Sequence, residues 1–204
     1  MADALRADLA LIAGLIDDGA RVLDLGCGRG ELLAHLTATK AVRGYGLDLD
    51  ADNIRTCLRE GVNVVEQDLD QGLSNFPDDS FDVVVMTETL QSVRNPSQMV
   101  DDMLRIAREC IVTFPNFGHW RCRLHLALRG RMPVSKHLPH SWYDTPNIHL
   151  CTFKDFEKLC QDKQIRIAER RVVGADHNRN PQPSSQSTRL PNLFGAVAFY
   201  HLTR

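Results

Sequence analysis

No apolar run in this sequence approaches the ~18–20 residues that a membrane-spanning helix needs. There is no C-x-x-C pair either, and the six cysteines (Cys27, Cys57, Cys110, Cys122, Cys151 and Cys160) read as reduced cytosolic thiols, not as a disulfide framework. The opening residues Met1–Arg6 place no basic stretch ahead of an apolar one, which argues against a signal peptide and for a cytoplasmic protein. Charge of one sign is lacking as well. Twenty-four Lys and Arg stand against 26 Asp and Glu, a net charge of −2, so no global field calls for nucleic acid or a membrane surface. What is left is 204 residues, 43% hydrophobic and 25% charged, the make-up of one globular domain (1–204) with a sizeable core.

A missing glycine sharpens the reading of the most informative stretch, Arg21-Val22-Leu23-Asp24-Leu25-Gly26-Cys27-Gly28-Arg29-Gly30-Glu31. Val22, Leu23 and Leu25 read as a buried strand, and Leu32, Leu33 and Leu36 as the inner face of a helix, with a glycine turn between them. Such a corner binds nucleotides, because the backbone can turn tightly and approach a ligand. The dinucleotide pattern G-x-G-x-x-G would need glycine at 31, where Glu31 stands. The pattern present is D-x-G-x-G-x-G, with Asp24 two residues ahead of Gly26. A carboxylate there repels phosphate and suits an ammonium. S-adenosyl-L-methionine has an ammonium and no phosphate. Cys27 fits the turn as a small apolar residue.

Val42–Asp48 reads as the next strand, with Asp48 at its C-terminal end, about 20 residues past the glycines, where an acid suits the hydroxyl pair of a ribose. The bland alternative is a turn cluster of glycines with two solvated aspartates. Leu5, Leu9, Ile12 and Ile16 form a helical stripe before the first strand, with Asp3 as its expected cap. Beyond Asp48, a helix over Ala51–Glu60, a strand over Val62–Asp68, a strand over Phe81–Met86, a helix over Pro96–Cys110 and a strand over Ile111–Asn116 follow in turn. Met99 and Met103 sit at helical spacing and read as core. This alternation predicts a doubly wound parallel α/β sheet with helices on both faces, and ligands at the C-terminal strand ends, where Asp24, Asp48, Asp68 and Glu88 fall. A later helix begins at Thr152, a strand covers about Ile165–Val173, Ala175–Asn192 reads as a polar, proline-rich loop, and Phe194–Leu202 as the last strand.

Between Glu109 and Asp144 the chain has no acid at all. Within an inserted segment at about 117–150 it carries Arg121, Arg123, Arg129, Arg131 and Lys136, interleaved with histidines, Trp120, Trp142 and Tyr143. Three readings stand: a solvated face, a surface for an anionic or protein partner, and an RNA surface, the last disfavoured by the balanced charge and the lack of a recognisable RNA module. His119, Cys122 and His125 are spaced three and three, but a zinc site usually takes four ligands, and the arginines around them would repel a cation, so no metal is expected. His119, Tyr143 and His149 are the candidates for a base, each weighed against a packing role. Asp82 and Glu88 do not make a convincing acid–base pair. No Asn-Pro-Pro-Tyr run follows the fourth strand, where Thr87-Glu88-Thr89-Leu90 stands, which argues against amino methylation of DNA or glutamine.

Val22–Glu31, Gly46–Asp50, Glu66–Asp68 and Phe81–Leu90 resemble the class I methyltransferases. Ile111–Trp120, Gly130–Val134 and Trp142–His149 resemble, more narrowly, the bacterial methionine biosynthesis family MetW. The resemblance implies a Rossmann-like seven-stranded sheet with an antiparallel last strand. It implies S-adenosyl-L-methionine (or S-adenosyl-L-homocysteine) bound by Asp24, Gly26, Cys27, Gly28 and Gly30 at the methionine end, Asp48 and Leu49 at the ribose, and Asp68 and Leu69 at the adenine. It also implies a partner, a MetX-type homoserine O-acetyl- or succinyltransferase that needs this protein for activity. It supplies no catalytic base. Two functions follow: a cofactor-binding partner of that acyltransferase, or a working methyltransferase on a small metabolite.

Overall fold

The computed structural model describes residues 5–135, 138–173 and 190–204. Asp3, Lys136 and most of the expected loop over 175–192 lie outside them. Seven strands form one sheet: β1 (Arg21–Leu25), β2 (Arg43–Asp48), β3 (Val64–Glu66), β4 (Phe81–Thr87), β5 (Ala107–Pro115), β6 (Arg166–Val173) and β7 (Val197–Thr203). Their spatial order is β3-β2-β1-β4-β5-β7-β6. The first five are parallel, and β7 runs antiparallel to both β5 and β6. This is the class I methyltransferase fold.

The alternation of side chains along each strand divides the core in two. Leu23, Leu25, Val84, Met86, Val112, Phe114 and Tyr200 point to one face, where Met99, Val100 and Met103 of α4 (Pro96–Ile106) and Phe153, Phe156 and Cys160 of α6 (Phe153–Asp162) cover them. Val22, Val83, Val85, Ile111 and Phe199 point to the other face, under Leu9 and Ile12 of α1 (Ala7–Ala13), Leu32, Leu33 and Leu36 of α2 (Glu31–Lys40) and Cys57 of α3 (Ala51–Arg59). Both faces of β1 and β4 are buried, which is why apolar residues stand side by side in Val22–Leu23 and Val83–Met86 instead of alternating with polar ones. The glycines of β2 have a packing reason. A Cβ on Gly44 would come within 2.6 Å of Leu33, and one on Gly46 would collide with the Cys27 sulfur, so both let α2 and the glycine turn settle onto the sheet.

Four boundaries differ from the expected ones. The first helix, whose stripe reads from Leu5 to Ile16, spans only Ala7–Ala13, with Arg6 in the cap position. The helix expected over Pro96–Cys110 stops at Ile106, and β5 starts at once at Ala107, because Ala107 is in register with Phe81 and Cys110 is buried beside β4. That pairing lies between elements far apart in sequence, so periodicity within the segment cannot see it. Strand β3 spans only Val64–Glu66, and Asp68 instead caps a 3-10 turn over Leu69–Gln71, accepting from the Asp70 N–H at 2.9 Å. Phe194 belongs to a helical turn, α7 (Pro191–Phe194), so the last strand begins at Val197.

The segment after β5 is anchored at its two ends. Asn116, buried, donates through Nδ2 to the Gly195 carbonyl at 2.7 Å and accepts from the Gly118 N–H at 2.9 Å. The short helix α5 (Trp120–Arg129) follows, with only Cys122 buried, capped by His119 and closed by Gly130 in the left-handed conformation. The chain returns across the end of β4, where the N–H groups of Ile148 and His149 both donate to the Gln91 carbonyl at 3.0 Å.

Candidate functional site

From β1 the chain winds one way to β2 and β3, and from β4 the other way to β5, so the order reverses between β1 and β4. In an open sheet a crevice opens beyond the C-terminal strand ends at such a point. A cavity of about 270 Å³ lies there, walled by Asp24 of β1, by Gly26, Cys27 and Gly28 just after it, and by Thr87 and Glu88 at the end of β4. Arg6, Arg29, Glu31 and Asn53 complete its polar lining.

Asp24 is the most unusual group in the molecule. Its side chain is 2% exposed, and its Oδ1 has no hydrogen-bond partner. Burial first, and the nearby Asp48 carboxylate second, push its carboxyl up to about 7. A carboxylate left this way on a cavity wall is short of a cation.

Asp48 holds the glycine turn in shape. Its Oδ2 accepts from the Gly28 N–H at 2.8 Å, and its Oδ1 accepts from the Asp50 N–H at 2.8 Å and from Asn53 Nδ2 at 3.3 Å. The turn glycines differ in their demands. Gly26 has φ +73°, and a Cβ there would stand 2.5 Å from the Thr89 hydroxyl; Gly30 has φ +77° and backs onto Cys57 and Val62. Gly28 has φ +56°, and a Cβ there would meet nothing in the protein, so its open side is free for a ligand. The buried Cys27 thiol lies 4.0 Å from the Cys57 sulfur, and burial raises the pKa of both.

Glu88 is set on the opposite wall by a local backbone cost. Its φ is +49°, sparsely populated for a residue with a side chain. Its N–H donates to the Thr113 carbonyl at 2.9 Å, and its carbonyl accepts from Gln91 Nε2 at 2.8 Å. Asp82 sits at the far end of the same strand, gripped by the Arg21 guanidinium at 2.8 Å, which holds its carboxyl at about 2. A whole strand separates the two acids, so they form no acid–base pair.

The other expected site residues divide. Leu49 and Asp68 line a second cavity of about 590 Å³ with Val65, Glu66 and Gln67, beyond β2 and β3. Leu69 is partly buried against the core and lines neither cavity. Of the candidate bases, His119 accepts from the Arg121 N–H at 3.3 Å, the His149 ring meets the Arg94 carbonyl at 3.2 Å, and Tyr143 is exposed and packed edge-on to Trp142. None of the three is on the wall of the first cavity. Among the described residues, no three His, Cys, Asp or Glu side chains are grouped to hold a metal ion, and no helix is long and apolar enough to cross a membrane.

Several cavity residues were not among the expected site residues: Arg29, Glu31, Asn53 and Thr87 beside the glycine turn and the strand ends, and Arg6 far from both. Arg6 lies just ahead of α1, bonded to the buried Asp8 at 2.6 Å, and reaches the cavity only because the stripe of α1 docks on α2 and β1. No local motif marks it.

The model of the family described as "Methionine biosynthesis protein MetW" matches residues 6–202. The bifunctional methionine biosynthesis protein MetXA/MetW of Rhodopirellula baltica is 33% identical over 212 residues, covering 98% of this chain and 33% of that protein. The chain spans about a third of the length of the curated relatives it matches. Among solved structures, a SAM-dependent methyltransferase from Archaeoglobus fulgidus superposes with a TM-score of 0.70 at 16% identity, over 97% of this chain and 92% of that one. The [4+2]-cyclase SpnF superposes at 0.66 and 17% identity, over 96% and 80%. At these identities the likeness establishes the fold, and a cyclase among the neighbours illustrates that the fold alone does not specify methyl transfer.

Proposed function

The chain belongs to the family of the methionine biosynthesis protein MetW, and from that membership we propose that it binds S-adenosylmethionine and works as a partner of a MetX-type homoserine O-acyltransferase. The observation that carries the cofactor half is the unpartnered, buried oxygen of Asp24 on the wall of a cavity at the sheet's switch point. The residues present suit that ligand. Asp24 meets an ammonium, Arg6 across the same cavity meets a carboxylate, and together they match the zwitterionic end of an amino acid. The open side of Gly28 leaves room for the ligand, and Asp48 fixes that glycine and keeps acceptor capacity for a ribose hydroxyl. Leu49 and Asp68 would border the adenine from the adjoining cavity, with Leu69 supporting the turn from beneath.

When bound, S-adenosylmethionine supplies a sulfonium with a transferable methyl group. A transfer in this chain would need an acceptor aligned with it, and a base where the acceptor must lose a proton. Since His119, Tyr143 and His149 all stand off the cavity wall, the partner reading is favoured over methyl transfer to a small metabolite. The MetXA/MetW relative supports it further, since its name joins the two functions in one polypeptide. The pathway's end product, held here, is then a natural signal for its own supply, through a difference in affinity between two states of the complex. Six free thiols accord with a reducing, cytoplasmic setting.

The test is the homoserine O-acyltransferase activity of the host's MetX-type enzyme, measured with and without this chain and then against rising S-adenosylmethionine. Activity that depends on the chain is the expected result. Activity indifferent to the chain, together with S-adenosylhomocysteine released in a cell extract, would transfer the assignment to a methyltransferase.

A further inference from the structure

Helix α5 is ten residues long and buries only Cys122. Helices of that length are marginal in water unless a face is packed. Trp120, Leu124 and Leu128 recur every four residues along one side, so they form one stripe, and they are 39%, 46% and 75% exposed. Arg121 stacks its guanidinium 5.4 Å from the Trp120 ring, and Arg129 ends the helix. An exposed apolar stripe flanked by arginines, with an aromatic anchor, has the composition of an interface core and not of a solvated face.

Among the described residues nothing covers it. Residues 174–189 contain no large apolar side chain. A second copy fits poorly. A two-fold contact sets like against like, and this stretch has no carboxylate between Glu109 and Asp144 with which to answer its own arginines. The charge therefore asks for a different protein, apolar at the centre of its contact and carrying carboxylates at the rim. We propose that the Trp120–Leu128 stripe of α5 is the docking surface for the acyltransferase, a proposal that rests on the partnership put forward above. In the relative that joins MetXA and MetW in one polypeptide, the tether would hold such a contact at high effective concentration.

The test is the affinity of the purified full chain for the purified host acyltransferase, by titration calorimetry at low and high salt. Leu124→Glu/Leu128→Glu should weaken binding roughly thirtyfold, the loss expected for a hot-spot pair. Arg129→Glu, at an exposed position, should weaken it roughly tenfold and flatten its salt dependence. Leu58→Glu, equally exposed but on α3, should change nothing. Thermal melting and S-adenosylmethionine affinity, unchanged in all variants, would exclude misfolding, and Arg129→Glu keeps the test open if the double variant fails to fold. Wild-type binding that survives both α5 changes overturns this surface while leaving the partnership intact. A wild-type chain that does not bind the acyltransferase at all overturns the partnership, and the surface with it. A self-associated chain that the α5 variants convert to monomer overturns the choice of partner in favour of a second copy.

Discussion

Replacing Asp24 by Asn removes a charge and almost no volume, so it isolates the electrostatic role of this residue. An unfolded aspartate titrates near 3.8, and in the folded, ligand-free chain burial pushes Asp24 up to about 7. Between those values the folded state holds the extra proton, so stability falls as pH rises from about 4 to about 7, and the full penalty stands above 7. At about 1.4 kcal/mol for each pH unit, that penalty is about 4 kcal/mol. An asparagine avoids it but leaves a buried amide short of a partner, which costs about 2 kcal/mol. Asp24→Asn should therefore gain about 2 kcal/mol at pH 8, or about 4–8 °C in Tm for a chain of this size; the gain should pass through zero between about pH 5 and 6 and turn into a loss of about 2 kcal/mol near pH 4, where the wild type carries no ionisation penalty. Ligand binding should move the other way. In the wild type an ammonium takes the place of the proton, so affinity for S-adenosylmethionine should drop about tenfold for each pH unit below 7. In the variant it should be about a hundredfold weaker at pH 8 and flat with pH. Scanning calorimetry and titration calorimetry at pH 8 and 6 read both effects. A variant that melts no higher than wild type at pH 8 and binds the ligand equally well would refute the role given to Asp24.

Four further outcomes are expected. Gly28→Ala should cost about 1 kcal/mol of stability, because only its positive φ opposes a side chain, yet should reduce S-adenosylmethionine affinity by an order of magnitude or more, both readable by thermal shift. Gly26→Ala should cost about 3 kcal/mol by chemical denaturation, since positive φ and a collision with Thr89 act together. Asn116→Ala should cost about 3 kcal/mol in the same measurement, because it leaves the Gly195 carbonyl and the Gly118 N–H buried without their partner. Tyr200→Phe should cost about 1 kcal/mol, by losing the one hydroxyl proton that lies between Glu157 Oε1 and the Phe153 carbonyl.

The left half of the sheet was legible because its signals are local. A strand, a glycine turn and a helix follow one another within Arg21–Lys40, and the buried stripe Leu32, Leu33 and Leu36 stands as spacing predicts. Asp24 and the turn glycines were legible for the same reason. What escaped depends on partners distant in the chain. The early start of β5 is decided by β4, and Arg6 joins the cavity through the docking of α1. Gln91, whose carbonyl receives the returning segment and whose Nε2 holds the Glu88 carbonyl, carries no motif at all. Composition set 117–150 apart, but nothing in the sequence distinguished a solvated face from a helix with an exposed apolar stripe such as α5.

The position of β7 also bears on how the molecule is made. This strand, Val197–Thr203, is inserted between β5 and β6 and supplies the hydrogen-bonding partner of each. On the ribosome, β1 to β5 and the cavity wall between β1 and β4 emerge first, and can pair in the order they appear. Strand β6 emerges next and has nothing to pair with, while the flank of β5 stays open until β7 follows. A nascent chain at that stage presents an unprotected edge to its neighbours. It would also already possess the corner proposed to bind S-adenosylmethionine, and a metabolite held there would steady the unfinished protein before its last strand closes the sheet.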